Sequence, residues 1–97
     1  LFPFETPWLG DAAAIARVLC AVGPARRAWV LERMLREAGR AAHHRRRHRR
    51  AHPLWGDGSL MAAALRRRPG PEPSLADPVF SAALGLVLAR LHAGPAP

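Results

Sequence analysis

Lysine, asparagine, glutamine and tyrosine are absent from the 97 residues, and cysteine occurs once. A single cysteine excludes an internal disulfide and any cysteine-based zinc site. Strand formers are scarce, with one Ile, one Thr and five Val, and no run alternates apolar with polar residues, so a sheet is not expected. No stretch reaches the roughly 18 apolar residues that a membrane span needs. Residues 1–10 contain Pro3 and Pro7 and no positive segment, unlike a secretory signal, so a cytoplasmic protein is expected. The chain does not begin with Met, which implies that residues precede Leu1. Hydrophobic residues make up 49%, but many are alanines, and aromatics make up only 6%. So thin a core favours help from outside the chain. The expectation is a homo-oligomer or a protein docked on a partner.

What is present is positive charge. The formal net charge is +8, and all 15 Lys and Arg residues are Arg. Abundant Ala, Arg, Gly and Pro point to a GC-rich genome, so the choice of Arg over Lys is partly codon usage. The excess of positive over negative charge is not, because Asp and Glu are equally open to such a genome. A polyanionic partner is the natural reading.

The pattern predicts an all-α fold of about four helices, one of them long enough to make the domain hairpin-like. Residues 1–10 form an extended strap whose Phe2, Phe4 and Trp8 are expected to pack on the helices. A first helix spans 11–22 with Asp11 as its N-cap and Gly23-Pro24 as its stop. A second helix spans 24–50, roughly 40 Å at 1.5 Å per residue. In it Ala28, Leu31, Leu35, Ala38 and Ala42 alternate spacings of three and four, a heptad-like seam widened by Val30, Met34 and Ala41. Residues 52–58 form a turn-rich loop holding Trp55. A short third helix covers 59–68, capped by Ser59 or Asp57. After a Pro-rich linker over 69–77, Asp77-Pro78 starts a fourth helix over 78–92.

Residues 39–52 (GRAAHHRRRHRRAH) hold six Arg, four His and no acid. On a helix, Arg45/Arg49 and Arg46/Arg50 are like-charged neighbours, each pair costing a few tenths of a kcal/mol, about 0.2–0.5. A polyanion converts that cost into binding through counterion release. Arg40, Arg45, Arg46, Arg47, Arg49 and Arg50 are therefore the expected phosphate contacts, with Arg66, Arg67 and Arg68 as a second cluster. There is no helix-turn-helix spacing and no Asn or Gln to read adenine, so binding is expected to be blind to sequence. His44, His48 and His52 recur every four residues, but the flanking arginines repel a cation and His52 precedes a proline. No metal and no cofactor are expected. Protonation of the histidines below about pH 6.5 would tighten anion binding. Cys20, among Val18, Leu19, Ala21 and Val22, reads as a core residue. Glu32 reads as a partner of Arg36, and Glu37 as a partner of Arg33 and Arg40. No catalytic constellation is found, so no enzyme is expected.

The fourth helix is apolar nearly all round, which requires cover on most sides. Phe80, Leu84, Val87 and Leu91, with Trp29, Leu31 and Leu35 of the second helix, are the expected subunit or partner interface. Trp55 is expected in the core.

The segments 24–38 (PARRAWVLERMLREA), 48–69 (HRRAHPLWGDGSLMAAALRRRP) and 71–89 (PEPSLADPVFSAALGLVLA) resemble a family of short proteins of Rhodobacter-type alphaproteobacteria. The similarity covers most of residues 11–92 and is most specific over 52–65. That family resembles in turn the small terminase of gene transfer agents, phage-like particles that package random host DNA. The resemblance implies a non-catalytic helical oligomer, often a ring, that engages double-stranded DNA and recruits the large terminase. Phage small terminases commonly carry an N-terminal helix-turn-helix, which is not evident here. Two other readings fit the charge: a basic RNA- or ribosome-associated protein, and an adaptor whose arginines meet an acidic protein surface.

Overall fold

A computed structural model describes residues 2–94; Leu1 of the strap and residues 95–97 of the tail lie outside them. Among the described residues the regular structure is helical, with one isolated bridge between His52 and Gly56. The fold is all-α. Four α-helices span Leu9–Cys20 (α1), Arg27–His48 (α2), Leu60–Arg66 (α3) and Pro78–Ala93 (α4), and a 3₁₀ turn over Pro24–Arg26 leads into α2.

α1 starts at Leu9, not after Asp11, so Asp11 is not the N-cap but lies inside the first turn. Its carboxylate accepts from the Trp8 amide at 2.7 Å and from the Met61 amide at 2.9 Å. The first bond closes the turn and the second ties the start of α1 to the start of α3. Both compensate a buried charge at a helix end that favours an acid. The far end of α1 stops before Gly23-Pro24, where the Arg27 guanidinium donates to the Leu19 and Val22 carbonyls at 2.9 and 3.0 Å. Ser59 caps α3 by accepting from the Ala62 amide at 3.1 Å, and Asp77 caps α4 by accepting from the Val79 and Phe80 amides.

α1 is the central helix, packed against α4, α3 and α2. Alanines let the helices close on it: Ala12, Ala14 and Ala16 in α1, Ala38 in α2, Ala63 and Ala64 in α3, Ala83 in α4. Between them Ile15, Leu19, Leu31, Met34, Leu60, Phe80 and Val87 are fully buried, each contributing about 1.5–3 kcal/mol. This corrects four interface expectations. Leu31, Leu35, Phe80 and Val87 belong to the core of the single chain and are not open to a partner. Small side chains bring four helices close enough to cover these faces within one chain. The radius of gyration, 12.9 Å, is that of a closed domain of this length, about 13 Å. Leu84 and Leu91 are half-buried against the core, and Trp29 is half exposed.

α4 is covered on one face only; Val79 and Leu88 stand outside. In the strap Phe4 is buried and Phe2 stacks on it at 5.0 Å. Trp8 departs from expectation and is 72% exposed, because it occupies the N-cap position of α1, beyond the helix's packed face. No helix among the described residues is long and apolar enough to cross a membrane.

Candidate nucleic-acid interface

α2 has 22 residues and is therefore about 33 Å long. Its first half is anchored by Leu31, Met34, Leu35 and Ala38, and Ala41 and Ala42 extend the buried seam to the basic segment. That anchoring carries the helix through Arg45–His48 despite like-charge repulsion. Ala28, expected in the seam, is exposed. The helix ends at His48, where Arg49 turns left-handed (φ 56°) and its amide donates to the Arg45 carbonyl at 2.7 Å. Arg50 consequently lies past the helix. Arg68, after α3, has φ 51°. These are the non-glycine residues with positive φ among those described, and both are arginines of the expected clusters.

Arg45, Arg46, Arg47, Arg49 and Arg50 are all exposed, and none has an acidic partner within 4.0 Å among the described residues. Arg46 donates to the Pro3 carbonyl at 3.4 Å. Arg40 is exposed and its guanidinium lies 5.8 Å from the centre of the Trp55 ring. The residues of the first expected cluster are thus all exposed, distributed around the end of α2.

The second cluster divides. Arg67 turns inward and grips Glu37 with two hydrogen bonds of 2.7 and 2.8 Å, so it is a structural ion pair and not a free phosphate contact. Arg66 approaches the same carboxylate at 3.9 Å and Arg33 at 3.5 Å. Burial pushes the Glu37 carboxyl up, but the Arg67 bonds and charge, aided by Arg66 and Arg33, outweigh it and hold the group below 4.5. Arg40, expected as a Glu37 partner, faces Trp55 instead. Glu32 pairs with Arg90 of α4, not with Arg36.

The loop over 52–58 fastens the end of α2 to the strap. His52 and Gly56 exchange backbone hydrogen bonds of 2.7 and 3.1 Å, and the Gly58 carbonyl accepts from the Glu5 amide at 3.0 Å. The His52 Nδ1 accepts from the Leu54 and Trp55 amides at 3.0 and 3.1 Å, which fixes the ring as the Nε2–H form. The Trp55 ring stacks on His52 at 4.6 Å and is half-buried outside the core, contrary to its expected place. The His44 ring lies 4.5 Å from His48 and 4.9 Å from His52. Partial burial, then the neighbouring His48, His52 and Arg50, hold its imidazole below the ordinary 6.5. Among the described residues no group of three or more His, Cys, Asp or Glu could hold a metal ion.

Residues 6–91 match the family described as a domain of unknown function, DUF7742. The chain belongs to the DUF7742 family. No curated protein and no solved structure matches it.

Sequence reasoning missed one feature of this DUF7742 member. Arg26, Trp29, Arg33, Arg36, Arg40, His43 and Arg47 are all exposed. Their spacings alternate three and four, so they line one outward face along the whole length of α2. The same alternation that marks the buried seam marks this row. It is a local periodicity and therefore legible in the sequence.

Proposed function

We propose that the protein is a non-catalytic subunit that binds double-stranded DNA through its phosphates without reading sequence. The exposed cationic end of α2, where no acid lies within 4.0 Å of Arg45, Arg46, Arg47, Arg49 or Arg50 among the described residues, carries this reading. A folded surface of uncompensated arginines raises the free energy of the unliganded protein, and a polyanion removes that cost. Arg40, Arg45, Arg46, Arg47, Arg49 and Arg50 are the phosphate contacts, and Arg66 and Arg68 are a separate patch nearer the middle and start of α2, where Arg66 approaches Glu37 and Arg68 lies by Val30. The resemblance to the small terminase of gene transfer agents supplies the context: a homo-oligomer, in the form of a ring, that passes DNA to a large terminase motor. Weak phosphate binding by each subunit would be multiplied by the ring through effective concentration. With four of the expected interface residues inside the core, subunit contacts must come from apolar side chains left outside, such as Trp8, Leu9, Val79 and Leu88.

Mass in solution by light scattering, with and without a random-sequence duplex at low and moderate salt, tests the reading. A closed oligomer that takes up duplex only at low salt supports it, and a monomer indifferent to DNA removes it. With about six phosphate contacts, duplex affinity falls roughly a thousandfold between about 50 and 200 mM salt. Replacing Arg45, Arg46, Arg47, Arg49 and Arg50 together by Ala abolishes most duplex binding and leaves the oligomer intact. Unchanged affinity would move the interface elsewhere.

A further inference from the structure

The cationic row on α2 contains an aromatic ring that packing does not explain. Trp29 is 50% exposed and lies between two guanidiniums, Arg26 and Arg33, each 5.4 Å from the ring centre. Further along the helix, Trp55 flanks the row beside Arg40. Arg33 and Arg40 are seven residues apart, about 10 Å along the axis. Together with Arg36, Glu37 and Trp55 they line a groove of about 400 Å³. The one acid in that groove is already neutralised by Arg67.

We infer that this row is a track for single-stranded nucleic acid, with unpaired bases stacking on Trp29 and Trp55 while the arginines between them hold phosphate. The inference rests on the phosphate-binding reading above and adds a preference for the strand form. In a duplex the base faces are hidden in the stack, so only the arginines can contribute. A single strand offers both phosphates and open π-faces, and cationic grooves with aromatic platforms are how such strands are held without sequence preference. Trp55 is pre-organised for this role: His52 backs it at 4.6 Å, and His52 is itself held by two backbone amides. The guanidiniums now beside the rings sit on long, exposed side chains that can swing to phosphate. A subunit contact at Trp29 would instead have to bury Arg26 and Arg33 with it.

The test compares an oligothymidylate of about 20 nucleotides with a mixed-sequence duplex of about 20 base pairs, by fluorescence anisotropy on the full chain. Expected is single-strand affinity roughly tenfold or more above duplex affinity, with quenching of tryptophan fluorescence. Trp29→Ala should weaken the single strand about tenfold and leave the duplex within about twofold. It sits on an exposed helical face where Ala is a good helix former, so the fold is retained. Trp55→Ala should act in the same sense, with circular dichroism checking its loop. Equal affinity for both forms, or equal losses in Trp29→Ala, overturns the stacking track and leaves phosphate binding standing. Binding of neither form overturns both.

Discussion

A Cβ on Gly58 would stand 2.6 Å from both Cα and Cβ of Ala42, and the residue's φ of 95° lies where side chains are strained. The loop can lie against α2 only because two small residues meet there. Gly58→Ala therefore costs about 3 kcal/mol, read from urea unfolding, because backbone strain and a clash with helix backbone add. Arg49 presents the opposite case, a bulky residue in the left-handed position where glycine is preferred. Arg49→Gly stabilises the fold by about 1 kcal/mol. If the proposed reading holds, the same change lowers the salt slope of duplex binding by about one, since it removes one proposed phosphate contact. A thermal melt and a salt titration check the two halves. The arginines around residue 49 were legible because a charge run is a local property. The role of Arg67 was not, because its partner is far away in the chain.

At the scale of elements, Glu37 joins α2 to the end of α3 through Arg67. Glu37→Ala leaves Arg67 partly buried without its anion and costs about 2 kcal/mol, less than a fully buried pair because Arg67 keeps some solvent. The same variant frees Arg33, Arg66 and Arg67, so under the proposed function it is expected to bind duplex more tightly while being less stable. The folded carboxyl titrates below its ordinary 4.5, so its contribution is full above that value. It is lost as pH falls through the lowered one. Unfolding curves of both proteins should therefore differ at pH near neutrality and converge in acid. Helix starts were readable in outline because caps are local chemistry: Ser59 and Asp77 act as their residue types predict. Asp11 does not, since Trp8 holds the cap position and Asp11 bridges to Met61 instead.

For the whole molecule, the net charge of +8 couples stability, pH and ligand. The folded His44 binds a proton less readily than it does in the unfolded chain. The stability this contributes is present above about pH 6.5 and is lost as pH falls through the lowered folded value. A bound polyanion reverses the local field, so it raises the His44 pKa and its own binding takes up protons. Acidification from pH 7.5 to 5.5 is thus expected to lower the melting temperature of the free protein and to tighten duplex binding. Melts and titrations at the two pH values measure both. Weaker binding in acid would show that the histidines do not face the anion.

The helical class, the order of the elements and the basic end of α2 follow from local chemistry: periodicity, caps, prolines and a run of arginines act within a few residues of one another. Packing alone decided what covers each apolar face. Periodicity shows that Leu31, Leu35, Phe80 and Val87 need burial, yet it cannot say whether a partner or the same chain supplies it. Alanine-lined contacts allow four helices to close, and the chain supplies it. The pairing of Glu37 with Arg67, and the placing of Trp55 beside Arg40, were decided in the same way. Each depends on groups far apart in sequence that only the tertiary structure brings within a few ångströms.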